Sequence, residues 1–456
     1  MESPELTERF RSSEVDLDLD GGSLAAVKER AAERSRRKRA AGGAAAVLAL
    51  ALFIVASQVI PQSNETTVDI TDVAGVEDTQ AAVEGGWTTN GTLTGDDLTY
   101  SGSFSVPSGS DGEGFGFGGG SIAYNPAGDG SLFVTGIAPE GQVAEISIPS
   151  IEPHEDSRRG FSEAEILQPL TDITSGRGDE LIGTTQQGGA EHFQIGGLEV
   201  VEGPAGPRLH WTAWRAFAVT NDEVPGHGHS SLDFGDVDVE GPWLLSDFDS
   251  FVTAGYVFDV PPAFADSFLD GRQLISGFQL NPGSADTSAG PPFVSFDPPE
   301  SAAPGTRLDA VALANFEPSV AQSTSFAETA VVPGGEWVTT SDGRHSVVVV
   351  GNGMTRDASE GCELGSTTDV AAHDPHIAFY DPADLAATAL GTQSPDAVEP
   401  ELVVSLADVL IPTCGTQLGG LSFDAENRRL FLTQRLVTVN DSGFDARPVI
   451  HVFDVR

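Results

Sequence analysis

The sequence predicts an all-β protein whose main domain is a β-propeller of about five to seven irregular blades, preceded by a single N-terminal transmembrane helix. From Trp87 onward the chain consists of short β-type runs broken by Gly, Pro, Asp and Asn, a spacing typical of sandwiches, barrels and propellers. Hydrophobic residues make up 39% of the chain and include 25 Phe, enough for a packed core. Paired β-sandwiches are the alternative fold.

A repeated unit near the two ends of this region favours the propeller. "GGSIAYNPAGDGSLFVTG" at 119–136 is echoed by "GGLSFDAENRRLFLTQ" at 419–434. Each has a glycine pair, a strand with an aromatic residue, a turn rich in Asn or Asp, and a Leu-Phe-aliphatic-Thr strand. A further strand follows each copy, at 143–149 and 448–455. A strand–turn–strand–loop–strand unit with irregular insertions predicts propeller blades, and the number of blades stays open.

These two segments resemble propeller blades of the NHL/YVTN type. The resemblance implies a fold and carries no function. The last strand ends one residue before the chain does, so a folded start near Trp87 could pair beside it and close the ring. Helical periodicity is scarce, and short helices are expected only at 261–271 and 381–391.

The N-terminal region predicts an anchor in the cell membrane. A basic cluster at 28–39 runs into residues 40–64, which carry no charge. About 20 apolar residues span a bilayer as a helix, and flanking Lys and Arg keep their side in the cytoplasm. A retained signal-anchor is favoured over a cleaved signal ending at "VAS" (55–57). We therefore expect a cytoplasmic tail with a basic juxtamembrane helix, a transmembrane helix, an acidic flexible linker and an extracytoplasmic propeller, at 1–39, 40–61, 62–86 and 87–456.

The charge of the chain limits its partners. The formal net charge is -45, and no lysine follows Lys38. An acidic surface repels the phosphates of nucleic acid, so a nucleic-acid partner is excluded. Such a surface also suits a salty environment without any ligand. The expected partners are the membrane, through the N-terminal helix, and an unknown extracytoplasmic protein or glycan.

Two cysteines, Cys362 and Cys414, both fall in the predicted extracytoplasmic part. Disulfides persist outside the cytoplasm, and a bond closing this span would stabilise the fold by roughly 4 kcal/mol in the chain-entropy model. The alternative is two buried free thiols.

The densest group of possible metal ligands lies at 225–249. In a strand, His227 and His229 would share one face, and histidine with carboxylates could bind a transition metal ion. The acids that follow loosely resemble a calcium loop, in which oxygen ligands alternate around a glycine turn. Calcium is thus the possible cofactor, and an exposed polar turn or a plain half-exposed strand is the alternative. The candidate acids are Asp236, Asp238, Glu240 and Asp247.

Three tryptophans, Trp211, Trp214 and Trp243, could stack on sugar rings. In a strand, Trp211 and Trp214 would fall on opposite faces, so at least one of them belongs to the core.

The absence of a catalytic signature favours a binding or interaction protein over an enzyme. Two alternatives remain open. One is a metal-dependent propeller hydrolase or lyase, which requires acids and histidines from different blades to converge on the central channel. The other is a carbohydrate-binding surface module.

Overall fold

The computed structural model describes most of the unit Ala81–Arg456. Residues 1–85 lie outside the described residues, and so do Cys362 and Cys414. Among the residues that are described, no helix is both long and apolar enough to cross a membrane. The described ranges are 86–107, 114–116, 118–137, 141–151, 161–178, 193–215, 224–278, 290–315, 331–352, 375–413, 417–439 and 446–456.

Five antiparallel sheets form the five blades of a β-propeller. The first strand of each blade is the innermost, and these five strands contact one another in a closed ring. The prediction of a propeller is confirmed, the open blade number becomes five, and the paired-sandwich alternative is wrong. The resemblance to the NHL/YVTN type in particular stays a prediction.

Blades 1 and 2 follow each other along the chain. Blade 1 contains β2 (Ile122–Asn125), β3 (Ser131–Thr135), β4 (Gln142–Ser147) and β5 (Ile166–Asp172). Blade 2 contains β6 (Phe193–Gly203), β7 (Gly206–Arg215), β8 (His227–Ser230) and β9 (Val239–Leu245), with the short β13 (Arg307–Leu308) added parallel to β9.

Blades 3 and 4 carry the helices. Blade 3 contains β10 (Tyr256–Asp259), β11 (Leu274–Gly277), β12 (Phe293–Phe296) and β14 (Ala310–Ala314). Blade 4 contains β15 (Val331–Thr339), β16 (His345–Asn352), β17 (Pro375–Tyr380) and β18 (Leu402–Ser405). The helices named for the described residues are α1 (Ser250–Thr253), α2 (Pro262–Phe268) and α3 (Pro382–Ala389), with 3-10 turns η1 (Gly95–Asp97) and η2 (Pro395–Ala397). Both helices expected from the sequence are confirmed as α2 and α3, and each has proline in its first turn.

Blade 5 closes the ring with strands from both ends of the domain. It contains β19 (Gln417–Asp424), β20 (Arg429–Val439) and β21 (Ala446–Val455) from the C-terminal end. Its outer strand is β1 (Leu98–Ser105), which pairs antiparallel with β21. The predicted pairing of the two ends is confirmed, and it removes an exposed edge from the last blade.

The hydrophobic core lies between blades, in one cluster for each of the five interfaces. A strand inside a blade packs against a neighbouring blade on both faces, so its sequence is continuously apolar. Strand β16 shows this: Val347 and Val349 pack toward blade 3, whereas Val348 and Val350 pack toward blade 5.

Candidate functional site

The five inner strands meet so closely that the propeller axis is almost closed. A cavity of about 10 Å³ on the axis is bounded by all five, including Ser121, Gly197, Tyr256, Gly334 and Gly420. This volume is about the minimum that holds one water molecule. The axis is therefore no passage for a ligand.

Glycines make this close approach possible. A Cβ atom added at Gly196 would lie 1.9 Å from the Ala254 carbonyl oxygen, and one at Gly334 would lie 2.8 Å from the Leu421 amide nitrogen. The atoms that would be hit belong to the backbone of the next blade, so they cannot turn aside. The glycines thus fix the distance between neighbouring inner strands.

Three carboxyl groups come from three successive inner strands, directly beyond this closed point. Glu199 lies on β6 of blade 2, Asp259 ends β10 of blade 3, and Glu336 lies on β15 of blade 4. They are close enough for their charges to interact, because Glu336 and Asp259 both raise the pKa of Glu199, and Asp259 raises that of Glu336. We call Glu199, Asp259 and Glu336 the carboxyl triad.

The triad combines buried and solvent-open members. Glu199 and Glu336 are only 8% and 3% exposed, whereas Asp259 is exposed. Burial raises the pKa of Asp259 to about 6 nevertheless. The two observations agree if Asp259 lies in a recess, where solvent reaches it but protein surrounds it on most sides. Asp259 is then the member that a ligand meets first.

Burial raises the pKa of Glu199 and of Glu336 well above the usual range, and the neighbouring acids raise both further. Among the described residues, no basic side chain acts on the pKa of any triad member. Burial and the neighbouring acids therefore favour the protonated form of both glutamates.

Hydrogen bonds fix Glu336 more firmly than Glu199. The Trp337 amide donates to Glu336 Oε1 at 2.8 Å, and the Phe423 amide of blade 5 also donates to the Glu336 carboxyl. Glu199 accepts from the Val200 amide, but its Oε2 is buried without a hydrogen-bond partner. A buried polar atom without a partner costs free energy, so Glu199 Oε2 is the natural point for a bound group to fill.

The triad is not arranged as a metal site. Among the described residues, no three His, Cys, Asp or Glu side chains are grouped so that they could hold a metal ion. Carboxyl groups whose pKa values differ can serve as an acid and a base in one reaction.

The structure does not bring together the metal ligands predicted from the sequence. His227 is buried, and its Nε2 lies 3.2 Å from both the Thr253 carbonyl oxygen and Ser276 Oγ. Burial lowers its pKa to about 3. His229 is engaged at both ring nitrogens: Arg208 Nε donates to Nδ1, and Nε2 contacts the Pro299 carbonyl oxygen. Both rings therefore already have partners within the protein.

The predicted acidic ligands lie on the outside of the same blade. Asp238 pairs with Arg208 at 3.1 Å, and Asp247 lies 3.6 Å from Arg307. Asp236 is exposed, and Glu240 accepts from Ser301 Oγ at 3.2 Å. Calcium binding at this stretch stays a prediction, without a converging set of ligands in its support.

The predicted tryptophan platform is mostly core. Trp211 and Trp243 are 1% and 0% exposed, and their indole nitrogens donate to Ser230 Oγ and the Ala302 carbonyl oxygen. Trp214 is half-buried, and its ring centroid lies 5.1 Å from that of Phe278. Neither Trp211 nor Trp243 therefore has a ring face that a sugar could reach.

Sequence reasoning missed the triad, although a signal for it was present. The glycine pair noticed at 119–120 and 419–420 also occurs at 196–197 and 334–335, and as Ala-Gly at 254–255. The triad members follow these motifs within four residues. Reading all five copies as inner strands would have placed the three acids beside one axis.

Comparisons with known proteins add little to this description. No family model matches the chain, and no curated protein matches it. Among solved structures, a proposed exo-beta-1,3-galactanase from Bifidobacterium bifidum s17 is 12% identical, with a TM-score of 0.36, and the match covers 78% of this chain and 96% of that one. A thermostable family-43 glycoside hydrolase is 9% identical, with a TM-score of 0.35 and coverage of 77% and 96%. Scores this low carry no argument about function.

Proposed function

We propose that this protein hydrolyses glycosidic bonds with the carboxyl triad, on a propeller tethered outside the cell membrane by the N-terminal helix. The observation that carries the proposal is that three acids from three blades come together where burial raises their pKa values: that of Asp259 to about 6, and that of Glu199 well above its usual range. This proposal takes the place of the binding or interaction protein that the sequence favours. The membrane tether rests on the sequence alone.

The roles follow from burial, because buried Glu199 favours its protonated form whereas exposed Asp259 can meet a water molecule. Glu199 is the general acid, which gives its proton to the glycosidic oxygen as the bond between that oxygen and the anomeric carbon breaks. Asp259 is the general base, which takes a proton from the water that attacks the same carbon. Glu336, held by the Trp337 and Phe423 amides, keeps the pKa of Glu199 high through its proximity.

Glycosides are the substrate class that this equipment fits best. Hydrolysis of a glycosidic bond needs one carboxylic acid and one carboxylate, without a separate nucleophile such as serine or cysteine. The alternative of a metal-dependent hydrolase or lyase would need converging ligands, and the triad is not arranged to provide them. A carbohydrate-binding module without catalysis would not need neighbouring acids whose pKa values are raised.

The test is turnover by the full chain, purified in mild detergent and incubated with oligosaccharides of defined linkage at pH 5 to 8. We expect release of new reducing ends, and a loss of about 10²- to 10⁴-fold in kcat for Asp259→Asn and for Glu199→Gln, the usual contribution of a general acid or base. Asp270→Asn, at an exposed position in blade 3, is the matched control and should keep full activity.

Each other outcome supports a different function. Oligosaccharides that bind but stay intact would favour the carbohydrate-binding module. Turnover abolished by a chelator would favour the metal-dependent hydrolase. Full turnover in Asp259→Asn, or neither binding nor cleavage by the wild type, would overturn the proposal.

A further inference from the structure

Residues 86–97, before the first strand of the propeller, run across blades 3 and 4 as an ordered segment, which we call the strap. Trp87 begins it and η1 ends it. The strap continues into β1, which joins blade 5. A segment that only led into β1 would need none of the contacts described next.

Backbone hydrogen bonds fix the strap to the β15–β16 hairpin of blade 4. The Asn90 amide donates to the Gly343 carbonyl at 2.9 Å, and the Gly91 carbonyl accepts from the His345 amide at 3.0 Å. The Leu93 amide donates to Ser346 Oγ at 3.0 Å. The strap thus pairs with this hairpin almost as a further strand would.

The end of the strap ties blade 4 to the C-terminus of the chain. Arg344 donates from both terminal nitrogens to the two Asp97 carboxylate oxygens, at 2.5 and 2.6 Å. The Arg456 amide donates to the Asp97 carbonyl at 3.1 Å, and the Ser341 amide donates to the Arg456 carbonyl at 2.7 Å. Asp97 is 2% exposed, so this bidentate ion pair is shielded from water on the acid side.

The start of the strap packs against the residues that support the triad. The Trp87 ring lies 5.1 Å from Phe264 on α2 and 5.7 Å from His345, centroid to centroid. Phe264 in turn lies 4.8 Å from Trp337, whose amide holds Glu336. Helix α2 begins three residues after Asp259.

We propose that the strap is a clasp across blades 3, 4 and 5, and that Trp87 is a positioning residue for Asp259 and Glu336. The positioning of catalytic acids by Trp87 rests on the proposed function, whereas the clasp across the blades does not. Trp87 wedges α2 and Trp337 together from outside, which keeps the two acids at a fixed separation and limits the water around them. Release of the strap opens blade 3 from blade 4 beside the triad.

The test compares Trp87→Ala with Trp87→Phe in the full chain. Carboxyl titration by ¹³C NMR should show Asp259, flanked by Glu199 and Glu336, ionising at lower pH in Trp87→Ala, because water enters its recess. Hydrogen exchange at the His345 and Leu93 amides should become roughly tenfold faster or more as the clasp opens locally. Trp87→Phe keeps a ring against Phe264 and should lie near the wild type in both measurements.

Two further variants separate positioning from general destabilisation. Asn90→Ala keeps the backbone bond but removes the hydrogen bond that the exposed Asn90 side-chain amide donates to the Asp342 carbonyl. It should speed exchange at His345 in the same direction by less. Phe133→Leu, at a fully buried site in blade 1, should lower overall stability without moving the titration of Asp259.

An unchanged Asp259 titration in Trp87→Ala, or an equal shift in Phe133→Leu, would overturn the positioning role. Unchanged exchange at His345 and Leu93 would overturn the clasp. Neither readout requires turnover, so a failure of the hydrolase proposal would leave both results meaningful.

Discussion

Asp259 of blade 3 and Asp424 of blade 5 occupy equivalent places: each follows a phenylalanine at the end of an inner strand and stands four residues after a glycine. Their surroundings differ. Asp424 accepts from Arg429 at 2.7 Å and from the Asn427 amide at 3.0 Å. Although burial opposes it, these hydrogen bonds hold the pKa of Asp424 below its usual range. Burial raises the pKa of Asp259, and among the described residues only its own backbone amide lowers it.

The connection after each strand explains the difference. A tight turn follows β19, so Asp424 pairs in register with Arg429 on the next strand. In blade 3, α2 is inserted before β11, and Asp259 stands opposite Leu274 instead. A buried acid with a structural role is neutralised by its own hairpin. An acid left without that partner is costly to keep, which points to a function.

Arg429→Met should convert Asp424 into an acid of the Asp259 kind, and we expect the largest effect on stability here. Removing one partner of a buried ion pair leaves the other charge uncompensated, which costs about 3 kcal/mol. The loss should be smaller at pH 5 than at pH 8, because Asp424 can then take up a proton. Urea unfolding at the two pH values measures it. A loss that does not depend on pH would mean that the pair is not what neutralises Asp424.

Glu199→Gln should change stability in the opposite direction and make the fold more stable. Because Glu199 is buried without a basic partner, a neutral amide of the same shape should stabilise the fold by about 1 kcal/mol at pH 8, a typical size for a stabilising substitution. The same variant should lose turnover. Denaturant midpoints of wild type and variant measured side by side decide the matter, and a clear destabilisation would show that Glu199 serves the fold.

The pH dependence of the melting temperature should distinguish the two aspartates. The folded-state pKa of Asp259 is raised to about 6, so its contribution is complete below the unfolded pKa and is lost as pH rises through 6. The contribution of Asp424, whose pKa is lowered, is instead present above its unfolded pKa and lost in acid. Subtracting the melting-temperature profile of Asp259→Asn from that of the wild type isolates the contribution of Asp259. A difference that falls in acid and grows as pH rises through 6 would have the wrong sign.

Asp238→Asn should have the smallest effect. Asp238 is exposed and pairs with Arg208 at the surface, and such pairs contribute about 0 to 1 kcal/mol. We expect a change within about 0.5 kcal/mol, and no shift of the melting temperature when calcium is added or chelated. A calcium-dependent shift that disappears in this variant would restore the predicted calcium loop.

The sequence predicted the architecture well because its signals are local. The strand–turn–strand units at 119–136 and 419–434 became the first two strands of blades 1 and 5. The candidate site has no such local signal. His227 and His229 stand close to several acids in the sequence, but strand alternation and blade packing place the rings inside and the acids outside. Proximity along the chain does not survive folding into strands, whose successive residues face opposite ways.

The sequence by itself determined the all-β character, the closure of the last blade by the first strand, and the glycine pairs that mark the inner strands. These depend on residue periodicity, on turn chemistry and on backbone space, which act within a few residues. Only the tertiary structure decided that Glu199, Asp259 and Glu336 meet, and that Asp424 is neutralised whereas Asp259 is not. Those outcomes depend on burial and on charges from different blades, and such distances exist only once the ring has closed.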